Sequence, residues 1–536
     1  MKQELLRQAR IALFACVATL IALAPPSMAA AGPEGAASSA AERLPAAELA
    51  SAPRAQTADL VGSGSVAALR SSNAATWPFD PPPLEAMRDS SHKIFAHWHG
   101  WPISLDNKSA DDDYWQQLMR PDGDQGRNSA GGGFSRERPL PRSVITDSDW
   151  EVKDMETEVR RASAVGLDGF MFNIVNPQAK GLFKRLLNML DAAQAVDPGF
   201  KVALMIDAVT NEDRSVEDVA AGIVQVANHP AVYRMSDGRL LIAAFTADRL
   251  PVDWWQDLFK TLKKTGIKVY FMPVFQGWRD KFSPFTAISD GLADWGDRSL
   301  SGFDSVMPGA AAAHELGKIW MSPVSPQLFR PKKNDLFYKE AGGSTLFRET
   351  WRVAREGGAD WVQIITWNDY GEGTEIAPST GIQYAFYDLT GFYGTWFKTG
   401  QQPPITRDVL YYFHRIMPTD TPADLSKQAR MFQIRGIDPP QDIIELLAFL
   451  TEPGTLEIEI GGKTFKQEAT AGITSFKIPI APGRPRFRLV RDGTTVIDFE
   501  SAFDIRMKTV FQDFLYRAGS SSRPPIQMIA NPPVPQ

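Results

Sequence analysis

Gly166-Leu167-Asp168-Gly169-Phe170-Met171-Phe172-Asn173-Ile174, a helical pattern from about Lys180 to Ala195, and Lys201-Val202-Ala203-Leu204-Met205-Ile206-Asp207 make up the stretch on which the fold turns. Two short apolar runs joined by an amphipathic helix read as a βαβ unit, because parallel strands need a crossover connection of a dozen or more residues. Working outward, the alternation recurs. Strand candidates are Lys93 to His97, Leu167 to Ile174, Lys201 to Asp207, Leu240 to Phe245, Lys268 to Phe275, a weak one before Asp294, Lys318 to Ser322 and Trp361 to Trp367. Helical patterns fall at Val216 to Ala227, Asp253 to Lys264 and Leu346 to Arg355. Another begins at Ser148-Asp149-Trp150-Glu151, which has capping-box spacing, repeats Val152, Met155 and Val159 on one face and closes at Gly166. Eight such units favour a closed (β/α)8 TIM barrel, an α/β fold, over an open doubly wound sheet, and no Gly-rich dinucleotide fingerprint supports the open form.

The chain has 536 residues, enough for a barrel at 90–418 and a smaller C-terminal antiparallel β-sandwich domain at 425–515. That second domain is read from Leu456 to Ile460, the turn Gly461-Gly462 and Lys463 to Phe465, then Phe487 to Val490, Asp492-Gly493 and Val496 to Phe499. A stretch at 30–80, rich in Ala, Ser, Gly and Pro, is expected to be a disordered linker, and 516–536 a flexible tail. At 1–29, Lys2, Arg7 and Arg10 precede an apolar run from Ile11 to Ala24 and the small residues Ser27-Met28-Ala29, the pattern of an export signal. The run is short for a membrane span, which takes about 20 apolar residues, so no stable membrane insertion is expected after its removal. The expected location is periplasmic or extracellular. Cys16, the single cysteine, lies in that segment, so disulfide scaffolds and thiol catalysis are excluded. A formal net charge of −6 argues against a nucleic-acid partner. The expected partner is a polysaccharide substrate, and the expected state a monomer.

Barrel active sites lie at the carboxyl ends of the strands. There the sequence places His97-Trp98-His99-Gly100-Trp101, Asn173, Asp207, Gln276 with Trp278, Asp294-Trp295-Gly296-Asp297 and Trp367-Asn368-Asp369-Tyr370-Gly371-Glu372. Glycosidic cleavage needs one carboxyl to donate a proton and one carboxylate to activate water or attack. Asp369 and Glu372, three apart just past the last strand, are the expected catalytic pair, with Glu375 as a possible stand-in acid. His97, Asn173, Asp207, Gln276, Trp295, Trp367, Asn368 and Tyr370 are the expected substrate contacts, with two or three of Trp98, Trp101, Trp278, Trp295 and Trp367 lining the cleft. The long segment Pro102 to Asp147, containing Asp111-Asp112-Asp113 and Gly131-Gly132-Gly133, is expected to form one wall.

The strand-eight motif, with Gly166 to Asn173 and Phe95-Ala96-His97, resembles glycoside hydrolase family 71, the α-1,3-glucanases or mutanases. The resemblance covers about Lys93 to Pro418 and implies a barrel with a β domain, endo-acting hydrolysis with inversion, and chemistry carried by Asp369 and Glu372. It also makes Asp168, otherwise low in the barrel and structural, a candidate functional residue. Two departures stand out: Gly371-Glu372-Gly373 where family members mostly read Gly-Glu-Ser, and His-Trp-His on the first strand. Glu372 is assigned as proton donor and Asp369 as base, with the exchange left open because burial decides it. No metal or cofactor is implied. Three rivals are weighed: a metal-dependent amidohydrolase built on His97 and His99, for which histidines from the middle strands are lacking; a glycan-binding protein without turnover; and a family 99-like endo-α-mannosidase.

Overall fold

The structure, a computed structural model, describes residues 64–101, 114–140, 142, 145, 147–177, 179–332 and 335–525. The expected export signal and residues 30–63 of the expected linker lie outside the described residues, as do 102–113 and the end of the tail.

Eight parallel strands close into a barrel in the order β1, β10, β7, β6, β5, β4, β3, β2. These are β1 (Lys93–Trp98), β2 (Gly169–Ile174), β3 (Lys201–Asp207), β4 (Leu240–Phe245), β5 (Val269–Phe275), β6 (Gly291–Asp294), β7 (Ile319–Val324) and β10 (Trp361–Ile364). All eight stand within a few residues of the sequence reading. The cause is period-two burial on two faces. Phe95, Met171, Ala203, Met205, Leu241, Met272 and Met321 fill the barrel interior. Their outward neighbours Ile94, Ala96, Phe170, Phe172, Val202, Leu204 and Ile242 pack against the surrounding helices. Phe95 aligns with Gly169 and Phe172 with Leu204, which places His97, Asn173 and Asp207 in the inward series at the carboxyl rim.

The helices Lys180–Val196, Val216–Val226, Val252–Lys264 and Thr345–Glu356 match their expected spans closely. The helix Trp150–Ala164 starts after Asp149, which makes no side-chain cap bond, so the expected capping box at Ser148 is not formed. Several helices escaped the reading, and the two longest show why. Val66–Ala74 and the buried Trp77 and Phe79 lie within the span expected to be a disordered linker, so that part of it is folded. Ala385–Thr399 is buried nearly all round, and that hides the amphipathic signal.

Between β7 and the next helix, β8 (Leu328–Lys332) and β9 (Asp335–Lys339) form an antiparallel hairpin, extended by the two-residue β12 (Gln433–Ile434). Beyond the barrel stand two four-stranded sheets. One has the order β16 (Gly472–Pro479), β13 (Ile443–Leu450), β11 (Val409–His414), β19 (Arg517–Ser520). The other has the order β15 (Lys463–Ala469), β14 (Gly454–Ile460), β17 (Arg486–Arg491), β18 (Thr494–Glu500). Leu410, Ile444, Leu446 and Phe476 of the first meet Leu456, Ile458, Phe487 and Leu489 of the second, which makes the expected sandwich. Its bounds differ from 425–515: β11 enters it before residue 418, and β19 draws residues 517–520 out of the expected loose tail. The first sheet is covered on its other face too, where Tyr411, Phe413, Leu447, Phe449 and Ala518 join the core shared with the helices of the barrel.

Candidate active site

The site is built on the turn after β10. Asp369 folds back on its own loop: Oδ1 accepts the backbone N–H groups of Gly371 and Glu372, both at 3.1 Å. Oδ2 lies 3.2 Å from Nε2 of His99. His99 is fixed in turn by Asn368, whose Oδ1 accepts the His99 N–H at 2.8 Å and whose Nδ2 donates to the His99 carbonyl at 3.0 Å.

Glu372 points to the opposite flank. Lys332 Nζ on β8 stands 2.9 Å from Oε1, Arg330 Nε on the same strand 3.6 Å, and Arg298 Nη1 from the loop after β6 3.1 Å from Oε2. Burial pushes this carboxyl upward, but Lys332, Arg330 and Arg298 outweigh it and hold it well below the usual carboxylate range. The surroundings of Glu372 therefore argue against it as the resting proton donor and suit it to the ionised role. Glu375 is no substitute: it is buried, and burial with the adjacent Glu137 carboxylate pushes it well above the ordinary range without access to the cleft.

Several expected contacts gather at the rim. Asn173 Nδ2 donates to Asp207 Oδ2 at 3.2 Å, and burial raises the Asp207 carboxyl despite that bond. His97 lies fully buried, with Nδ1 3.2 Å from Met205 Sδ and its ring edge-on to Trp295 at 4.8 Å between centroids. Burial first, then the neighbouring His99, holds His97 far below its ordinary value, so it is neutral. Gln276 is exposed just past β5.

Others are placed elsewhere. Asp168 sits at the amino end of β2, where Oδ2 accepts the Ile94 N–H at 2.7 Å and pairs with Lys398 Nζ at 2.7 Å, so the geometry makes it a structural residue and not a substrate contact. Trp367 breaks the alternation of β10, in which Trp361 faces the interior with Ile365 just beyond it and Val362 and Ile364 face outward: its indole N–H donates to Glu158 at 2.6 Å and its ring packs on Phe170. Tyr370 is buried under Trp115, with centroids 4.9 Å apart, and walls nothing. Asn368 is spent on His99. Of the five loop tryptophans only Trp101 and Trp295 adjoin the His97 and His99 rings, while Trp98 and Trp278 pack outward onto Phe170 and Trp320.

The described part of the long first loop packs directly on the motif. Ser135 Oγ donates to the Tyr370 carbonyl at 2.8 Å, and a Cβ on Gly371 would meet Phe134 Cε1 at 2.2 Å, so only glycine fits there. Among the described residues no group of three or more His, Cys, Asp or Glu is placed to hold a metal ion.

A closed parallel barrel with two carboxylates on the turn after its last strand is the layout of a carboxylate-dependent glycosidase. The chain belongs to glycosyl hydrolase family 71, whose sequence pattern matches residues 143–521. It is 25% identical over 399 residues to a mutanase of Penicillium rubens, covering 70% of this chain and 86% of that protein. To a glucan endo-1,3-alpha-glucosidase of Schizosaccharomyces pombe it is 24% identical, covering 65% and 86% respectively. Among solved structures, the family 99 endo-alpha-mannosidase from Bacteroides thetaiotaomicron aligns with a TM-score of 0.47 at 17% identity, covering 58% of this chain and 98% of that one.

Proposed function

We propose that this glycosidase cleaves α-1,3-glucan at internal linkages by a single displacement, with Glu372 as the base that takes a proton from water and Asp369 as the acid that protonates the leaving oxygen. The observation that carries the assignment is the unequal setting of the two carboxyls. Glu372 is held ionised by Lys332, Arg330 and Arg298, as a base must be before water attacks. Asp369 faces a single imidazole across the turn. The α-1,3 linkage and the internal mode of attack are supported by the names of the Penicillium and Schizosaccharomyces relatives. Inversion is supported by the family resemblance.

The mechanism follows from where the groups point. A glucan lying across the rim meets Asp369 on the β1 side and Glu372 on the side of β8 and the β6 loop. As the glycosidic C–O bond breaks, a proton passes from Asp369 to the departing oxygen. Water attacking the opposite face of the sugar forms the new C–O bond and gives its proton to Glu372. Asp369→Asn and Glu372→Gln are each expected to lower kcat on α-1,3-glucan, counted per folded molecule, by about 10²-fold or more. Near-normal turnover in either would refute the pair. Proton NMR of the first-formed reducing end, run on α-1,3-, α-1,4- and α-1,6-glucans, tests linkage and stereochemistry together.

Export of the chain is part of the same proposal. It is supported by the basic and apolar pattern of residues 1–29, and no helix of the described residues is long and apolar enough to cross a membrane.

A further inference from the structure

We propose that His99 is the positioning residue of the acid, its Nε2 standing beside Oδ2 of Asp369 and fixing the oxygen from which the proton leaves. The inference rests on the reading that Asp369 protonates the leaving group.

Three observations carry it. Oδ2 and Nε2 are 3.2 Å apart, while Oδ1 is already occupied by two backbone N–H groups, so Oδ2 is the oxygen left for chemistry. Asn368, the residue next to Asp369, holds both the N–H and the carbonyl of His99. Acid and imidazole are thus tied to each other through adjacent residues of one motif, a stronger constraint than surface contact gives. Finally, the ring has a fixed seat: it stands edge-on to His97 at 4.7 Å and tilts against Trp101 at 5.9 Å, yet the side chain keeps 22% of its surface, which opens it to the cleft.

The charged and titratable groups facing this ring are His97 from its own strand, Asp207 from the end of β3 and Asp369, while Glu372 is felt at the adjoining His97. Neutral His97 adds no charge, and Asp369 is the carboxyl in direct contact with the ring. On turnover the acid passes its proton to the glycosidic oxygen as the bond breaks, and Glu372 gains one from water. Release from Glu372 to solvent and uptake by the acid restore the start.

The test compares two substrates in His99→Phe and His99→Gln: an α-1,3-gluco-oligosaccharide, whose leaving group needs a proton, and its 2,4-dinitrophenyl α-glycoside, whose leaving group does not. For His99→Phe, kcat on the oligosaccharide is expected to fall at least about 10-fold with KM within about 3-fold, while turnover of the dinitrophenyl substrate stays within about 3-fold. His99→Gln, which keeps a hydrogen-bonding group within reach of Oδ2, is expected to recover part of the loss. Parallel losses on both substrates in the Gln variant, or unchanged oligosaccharide turnover in the Phe variant, would overturn the inference. Asp369→Asn in the same assay separates the two levels: normal oligosaccharide turnover there brings down the assignment of Asp369 itself.

Discussion

Lys332 Nζ reaches from the β8–β9 hairpin to within 2.9 Å of Glu372 Oε1, so an excursion outside the barrel sets the charge state of a residue at its mouth. Arg298 and Arg330 complete the arrangement. A depressed carboxyl stays ionised to lower pH, so the acid limb of the rate profile that reports this base lies low. Lys332→Met is expected to move that limb of kcat/KM toward higher pH, with Arg298→Met shifting it the same way. An unmoved limb in both variants would mean that Glu372 is not the titrating base.

Asp168 is expected to matter for stability and not for turnover. Lys398 Nζ, fully enclosed, has this carboxylate 2.7 Å away and the Met87 carbonyl at 3.0 Å. Asp168→Asn leaves an ammonium buried without its counter-charge, which costs about 3 to 5 kcal/mol. The urea midpoint is the measurement. A large fall with kcat per folded molecule near wild type is the expected outcome, and the reverse pattern would restore a catalytic role.

Gly373 accounts for one departure from the family's usual motif. Its φ is +60°, and a Cβ there would lie 2.3 Å from Leu515 Cδ2. Gly373→Ser therefore meets both backbone strain and the C-terminal segment, and is expected to lower stability by about 1 to 3 kcal/mol. Adding Leu515→Ala should relieve the steric part alone. Strict additivity of the two changes in a thermodynamic cycle would show that the contact is irrelevant.

His414 gives the sandwich an acid limit. It is enclosed, with Nδ1 2.8 Å from the Arg415 carbonyl and Nε2 2.7 Å from Ser501 Oγ, an arrangement for a neutral ring that donates through Nδ1. Burial lowers it from 6.5 to about 4. Between those values the unfolded chain binds a proton that the folded chain refuses. The stabilisation is thus complete above pH 6.5 and lost as pH falls toward 4, by about 3 kcal/mol in all. His414→Gln is expected to flatten the dependence of the denaturation midpoint over that window, and an unaltered slope would discount it.

The barrel was legible because its strands are buried on both faces, so each apolar run announced itself between helical patterns. Position along a run also told which residues reach the rim: His97, Asn173 and Asp207 follow one inward parity. For Trp367 the same parity misleads, because alternation from Trp361 and Ile365 points it inward whereas the turn after β10 carries its indole outward to Glu158. The cations around Glu372 were hidden because they come from separate segments, including a hairpin whose register only the folded chain reveals. His99 was visible, but as half of a metal-ligand spacing, since nothing local says that its partner is a carboxylate some 270 residues on, next to Asn368. Strand β19 was missed because Arg517 to Ser520 is a strand only beside β11.

The alternate residues of β13 fill two different cores, Ile444, Leu446 and Ala448 on one side and Leu447 and Phe449 on the other. Glu445 between them accepts hydrogen bonds from Ser344 at the start of a barrel helix. Such a strand is common property, and neither neighbour is finished without it. Cut-and-paste engineering that ends the catalytic piece near Arg407 would strip a wall from it, and grafting the sandwich onto another host would carry along a greasy, unclad back.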